Sequence, residues 1–403
     1  MSDTQYDTRR AVRVILVGSL IVFLAVGLRA SFGLFMQPMG LANGWSRDVF
    51  SMAFAIQNLV WGVMAIVLGA VADRFGAGRA IVLSALSYAV GYIGLRYATT
   101  NLELYFYAGL MIGVGQAGTT FAVVLPVVAR AVPPASRSTA MGIAGAAGSL
   151  GQFLVVPVSQ AFITTMSWSG ALWALSALVS IILPLAWFLR GKSPGAVSPG
   201  MSLGSAVRKA LGDTSYHFLF WSYFVCGYQT AFITLHLPAY VVDKGLTPTN
   251  GAVALALVGL FNVFGSFWAG KLGGKHSKKL LLAGIYWGRG LAIVFFMTAP
   301  IAPWSLYIFA SVMGLFWLGT VPLTQGLIGD IYGYRFAATL SGIVFLGHQV
   351  GSFLGVWLGG KMYVTTGSYD LVWWTGVALS VVAGLLCLPL RVPARLVVEP
   401  ARS

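Results

Sequence analysis

Two arginines and a histidine in apolar surroundings are the residues best placed to do chemistry. Arg29 interrupts the apolar run 13–37, Arg289 interrupts the run 280–299, and His348 sits beside Gln349 in the run 338–360. A guanidinium stays charged at any accessible pH, and its planar fork fits a carboxylate bidentately. The ten acidic residues are Asp3, Asp7, Asp48, Asp73, Glu103, Asp213, Asp243, Asp330, Asp370 and Glu399, and all read as loop, tail or helix-end positions. Neither arginine therefore has a carboxylate beside it in its own run. Positive charge without a fixed counterion invites an anion. His348 could hydrogen-bond such an anion or carry a proton near physiological pH.

The elements that must position these residues follow from composition. Of 403 residues, 58% are hydrophobic and 9% charged, against about 25% charged in an average soluble protein. Such a chain cannot cover itself with charge in water, which excludes a soluble enzyme, a disordered protein and a disulfide scaffold. Cys226 and Cys387 both lie in apolar runs. A crossing helix needs about 20 apolar residues. Twelve such runs are present, at 13–37, 49–72, 80–98, 105–129, 138–164, 169–190, 216–241, 250–272, 280–299, 304–329, 338–360 and 370–391. The expected fold is an all-α membrane protein of twelve transmembrane helices in two pseudo-symmetric six-helix halves. The halves span 1–190 and 216–403, joined by a polar, Pro- and Gly-containing linker at 191–215.

Lysine and arginine placement sets the orientation. With the N-terminus inside, 19 basic residues fall on the cytoplasmic side and 4 on the other. Both termini are expected in the cytoplasm, and the net charge of +15 then orients the chain in its membrane rather than binding nucleic acid. Arg29 falls roughly 24 Å along the first helix at about 1.5 Å per residue, somewhat past the middle of a roughly 30 Å core. Snorkelling to the far interface is the alternative for Arg29. For Arg289 the alternatives are holding backbone carbonyls or facing water in the cytoplasmic vestibule.

After the second run comes Gly69-x-x-x-Asp73-Arg74-x-Gly76-x-x-Arg79, and after the eighth comes Gly270-x-x-x-Gly274-Lys275 followed by Lys278 and Lys279. This recurrence points to a transporter built from repeats. The first segment resembles the signature loop of the major facilitator superfamily. That resemblance implies a cytoplasmic gating role for Gly69, Asp73, Arg74, Gly76 and Arg79. Within that superfamily the chain is similar to the bacterial monocarboxylate-porter and oxalate/formate-exchanger group. Carrying this likeness are Arg29-Ala-Ser-Phe-Gly-Leu-Phe35, the ending His236-Leu-Pro238-Ala-Tyr240, the segment Gly259 to Ser266, and His348. Arg29 stands where the animal relatives have a substrate-linked lysine. Asn262 and Ser266 replace the animal Asp and Arg.

The resulting expectation is a secondary transporter of a small organic anion, a monocarboxylate first, working by alternating access in the inner membrane. Proton symport through His348 and anion exchange both remain open, with a proton or a counter-anion as the partner species. Expected substrate contacts are Arg29, His348, Asn262, Arg289, Gln116, Gln152 and Tyr228, with Phe32 and Trp317 as further apolar cover. His236 reads as a structural or outer-gate residue. A monomer with no cofactor, metal or nucleic acid is expected. The competing readings are a drug or cation exporter of the same fold, and a membrane enzyme or sensor. No HExxH or GxSxG motif is present to favour an enzyme.

Overall fold

In hydrocarbon an unpaired backbone N–H or C=O finds no water, so each apolar run satisfies itself as a helix. The computed structural model describes residues 8–133, 136–189, 203–333 and 337–392. Among the described residues, eleven helical segments are long and apolar enough to cross a membrane. The first four are α1 (Thr8–Asn43), α2 (Arg47–Ala72), α3 (Ala77–Tyr97) and α4 (Asn101–Arg130). The fifth, Thr139–Phe188, has 50 residues, and it breaks at Ser167 with φ 65°. That length is two crossings, here α5 (139–166) and α6 (168–188). The second half holds α7 (Thr214–Asp243), α8 (Pro248–Lys275), α9 (Lys278–Thr298), α10 (Pro303–Tyr332), α11 (Thr339–Thr366) and α12 (Asp370–Cys387). Counting the long segment twice gives twelve crossings.

The two halves repeat each other's packing. A Cβ on Gly151 of α5 would fall on the Phe23 carbonyl of α1, and one on Gly351 of α11 would fall on the Phe224 carbonyl of α7. Glycine at these points lets two helix backbones touch, as small residues do in membranes. The fourth helix of each half is interrupted. α4 breaks at Thr120, and α10 breaks between Leu315 and Thr320. The third helix of each half packs against the fourth beside that interruption, through Ser84 on Gly118 and through Arg289 on Phe316 and Trp317.

The halves meet most closely on the face away from the linker. There Arg47 pairs with Asp243 at 2.5 Å, and Gln37 reaches the Ala239 carbonyl at 3.4 Å. At mid-depth the Gln349 amide donates to the Asn58 carbonyl (2.9 Å), Asn262 donates to Ser149 Oγ (2.8 Å) and Gln152 donates to the Leu255 carbonyl (2.9 Å). One cluster of buried apolar side chains runs through both halves and includes Leu235 and Phe309 beside Phe32 and Phe50. A second cluster holds Tyr216, Leu219, Cys226, Leu282, Leu327 and Leu340, all from α7 to α11 on the linker side. Apolar packing is thus shared between the halves on the far face and separate on the linker face.

Three details differ from the sequence reading. The linker contains a helix, Leu203–Leu211, with Ala206 and Ala210 buried and Arg208 and Lys209 exposed. α1 does not continue smoothly past Arg29, because its regular part ends at Ala30 and a tighter turn, Phe32–Phe35, follows. In the loop after α2, Gly76 does turn the chain, with φ 97°. Gly69, however, has open space where a Cβ would stand, so no close approach requires it here. Arg74 and Arg79 are exposed, and the side chain of Asp73 lies outside the described residues.

The glycine contacts give a direct check. Gly151→Val or Gly351→Val should lower stability by about 1–3 kcal/mol, the cost of overpacking a close contact. Gly142→Ala on the same α5, where nothing lies within 4 Å, should leave it unchanged. Thermal unfolding of the purified variants measures the difference.

Candidate functional site

Arg29 occupies the last turn of the regular part of α1. Carbonyl dipoles at a helix C-terminus favour a cation there. Its Nη2 donates to Asn58 Oδ1 at 2.8 Å. The guanidinium carbon lies 4.8 Å from the Trp61 ring centre and 5.5 Å from that of Phe54. Asn58 and Trp61 share a face of α2 by their three-residue spacing. Trp61 is itself held, since its indole N–H donates to Thr120 Oγ1 at 3.2 Å in the α4 break. Arg29 keeps partial exposure, and its buried Nε has no hydrogen-bond partner. Among the described residues its side chain forms no ion pair: Arg47 pairs with Asp243 and Lys278 with Asp330.

A hydrogen-bonded chain leads from Arg29 into the other half. Asn58 accepts from Arg29 through its side chain, and its carbonyl accepts from the Gln349 amide. Gln349 Oε1 then meets His348 Nδ1 at 3.0 Å. The Gln349 amide oxygen can only accept, so Nδ1 of a neutral His348 carries the proton and Nε2 keeps its lone pair. The His348 ring stacks on Phe345, with centres 5.7 Å apart at 12°, and Phe345 meets Trp61 edge-on at 5.5 Å. Arg29 and His348 are thus joined across the halves by Asn58 and Gln349 on one path and by Trp61 and Phe345 on another.

Most of the other expected contacts have partners of their own. Arg289 is fully buried, with Nε donating to the Phe316 carbonyl at 2.9 Å and Nη2 donating to that of Trp317. Its fork satisfies carbonyls freed by the α10 break, so its geometry is that of a backbone clamp. Asn262 makes three bonds, to Ser149 Oγ, from the Leu318 N–H and from Ser266 Oγ. With Gln152 it fastens α5 to α8. Gln116 is fully buried and donates to Gln57 Oε1 at 3.1 Å, inside the first half. Tyr228 is buried with its hydroxyl unpaired. Phe32 lies against Phe50 and Phe54 with 1% exposure, and Trp317 is also buried. Trp61 was not among the expected contacts. Its signal in the sequence is only the three-residue spacing from Asn58.

The two arginines should separate in a stability measurement. Arg289→Met strands two buried carbonyls and removes two charge-assisted bonds, each worth about 1.5–3 kcal/mol. A loss on the order of 3 kcal/mol or more is expected. Arg29→Met removes an unpaired cation and should change stability by less than about 1 kcal/mol, or raise it. Thermal unfolding in detergent or nanodiscs tests both.

Comparison with known proteins places this geometry. The family model of the Major Facilitator Superfamily matches residues 18–356 and also 219–403. An uncharacterized MFS-type transporter, YcxA of Bacillus subtilis (strain 168), is 25% identical over 86% of this chain and 88% of its own. Monocarboxylate transporter 13 of Bos taurus is 26% identical over 86% of this chain and 81% of its own. The crystal structure of the nucleoside transporter NupG superposes with a TM-score of 0.75 at 14% identity, over 94% of this chain and 99% of that one. That likeness speaks for the fold. Twelve crossings, repeated halves and the family match agree. The protein is a multi-pass membrane transporter rather than an enzyme, and the chain belongs to the major facilitator superfamily.

Proposed function

We propose that this transporter carries a small organic anion, a monocarboxylate such as a 2-hydroxy or 2-keto acid, by alternating access across the inner membrane. The observation that carries the reading is Arg29, a partly exposed guanidinium with no carboxylate partner among the described residues, oriented by Asn58 and Trp61. A bound carboxylate would supply the missing counterion and a partner for the orphaned Nε. The identity to a monocarboxylate transporter over most of both chains supports the same substrate class. Export of a cation would call for an acid at the level of Arg29. The carboxylates of Asp243 and Asp330 are instead engaged with Arg47 and Lys278.

The proposed cycle uses the two faces in turn. With both termini in the cytoplasm, the far face is the outer one. The conformation described, closed there and with separate cores on the linker side, is then the one opening inward. Anion binding at Arg29 neutralises the charge and allows the halves to rock about the site. His348 is the proposed carrier of a coupled proton. Its Nε2 lone pair can take that proton without disturbing the Nδ1 bond to Gln349. In pure exchange the outgoing anion would neutralise Arg29 on the return step. A single chain contains both halves, and the proposed working unit is a monomer.

Liposome counterflow with labelled mono- and dicarboxylates, with and without a pH gradient, tests the proposal. Arg29→Gln should cut exchange on the order of a hundredfold, the loss of about 3 kcal/mol of charge-assisted bonding. Asn58→Leu should raise the half-saturating concentration about tenfold. His348→Gln should spare exchange and abolish uptake driven by the pH gradient. Exchange at the normal rate in Arg29→Gln would overturn the binding assignment, and an unaltered pH dependence in His348→Gln would overturn the coupling assignment.

A further inference from the structure

The far-face closure contains a fully buried histidine that the transport cycle above does not use. Arg47 at the start of α2 grips Asp243 at the end of α7 through two bonds, of 2.5 and 2.6 Å. The same Arg47 Nη1 donates to the Tyr369 hydroxyl at 2.9 Å, and its guanidinium lies 3.8 Å from the Tyr363 ring centre. Tyr369 Oη is 3.1 Å from Nδ1 of His236. His236 Nε2 is 2.9 Å from the Val356 carbonyl and 3.4 Å from Ser51 Oγ of the other half. His236 is 0% exposed.

The donors and acceptors fix the protonation state that this arrangement accepts. A carbonyl only accepts, so Nε2 of His236 carries a proton toward Val356. Arg47 only donates, so Tyr369 receives from it and has its own proton to give. Nδ1 of His236 takes that proton and must be bare. The relay thus runs from Arg47 through Tyr369 to a neutral imidazole. Adding a proton at Nδ1 turns the acceptor into a donor, which reverses the Tyr369 bond and forces the Tyr369 hydroxyl proton to turn away. It also sets a buried cation two hydrogen bonds from the half-buried Arg47, with one carboxylate, Asp243, paired to Arg47.

The groups around His236 offer little relief. On α7 are Phe232, Tyr240 and Asp243, and on α2 are Ser51 and Arg47. From α11 come the Val356 carbonyl, Gly359 and Tyr363, and at the start of α12 are Tyr369, Asp370 and Trp373. From α1, Gln37 is neutral and bonds to Ala239 and Asp243. Asp48 is engaged with Ser46, and Lys244 and Lys361 are exposed.

We propose that His236 is a proton-binding site whose occupancy releases the far-face closure between the halves. The neutral residue holds Arg47, Tyr369 and Asp243 together. The protonated residue expels the relay and parts α2 from α7 and α11. With the far face outside, protons on that side favour the outward-open state. The proton on His236 is distinct from the one proposed for His348, and this site acts on the gate without touching substrate.

Spin labels at Leu41→Cys and Leu371→Cys, both exposed near the far face in opposite halves, report the opening in nanodiscs without any substrate. The native Cys226 and Cys387 are buried. As pH falls from about 8 to about 4, acid enough to charge an imidazole that is buried and set near Arg47, the long-distance population should rise severalfold. His236→Gln keeps a donor for Val356 and an acceptor for Tyr369 but takes no proton, and it should stay closed throughout. Tyr369→Phe, a second variant if the glutamine protein does not fold, severs the relay and should flatten the pH response. His348→Gln should respond as the parent does. A parent distance that does not change with pH, or a His236→Gln protein that opens on acidification as the parent does, would overturn the proposal. Failure of carboxylate transport would leave this measurement unaffected.

Discussion

A guanidinium inside a bilayer costs about 2.5–3.5 kcal/mol on insertion scales, and Arg29 meets that cost with one amide oxygen, two aromatic faces and a helix C-terminus. None of these cancels its charge. The surrounding architecture is arranged around that unbalanced cation. α1 turns immediately after it, and α2 supplies Asn58, Phe54 and Trp61 from one face. α4 breaks where Thr120 can steady Trp61. Asn58 then passes the contact to Gln349 and so to the other half. A charge left unpaired in one half and bonded through to the second suits the pivot proposed for two bodies that move about a bound anion.

The duplicated halves use one structural idea for two ends. In each, the third helix packs its middle against an interrupted fourth helix. In the second half the residue there is Arg289, which donates to two carbonyls of the α10 break. In the first half the contact beside the break is made by Ser84, a neutral group, and the cation stands instead on α1. One arginine thus stabilises the fold and the other remains available, although both look alike as charged residues in apolar runs. The histidines divide similarly. Protonating His348 preserves its bond to Gln349, whereas protonating His236 reverses its bond to Tyr369.

Much of the fold was legible because the bilayer makes local rules decisive. Run length and hydropathy give twelve crossings, and the gap at 165–168 anticipates the break at Ser167. Arg29 stood out because charge at mid-depth is rare. Side-chain partners were less legible, since spacing identifies a shared helix face but not the helix it meets. Asn262 and Gln152, expected at substrate, fasten α5 to α8. Arg289 was open between two roles because nothing in the run 304–329 announced where α10 would release its carbonyls. Trp61 was hidden among 13 tryptophans, and only the geometry of α1 against α2 distinguishes it from a packing or lipid-facing ring.

The central claim is that the counterion of Arg29 is the transported carboxylate. Its most direct measurement is equilibrium binding, by calorimetry, of a small monocarboxylate and of its neutral amide to the purified protein in nanodiscs. The acid should bind and release heat, the amide should not bind, and Arg29→Gln should bind neither while remaining folded. Binding of the amide as tightly as the acid, or undiminished binding of the acid to Arg29→Gln, would contradict it.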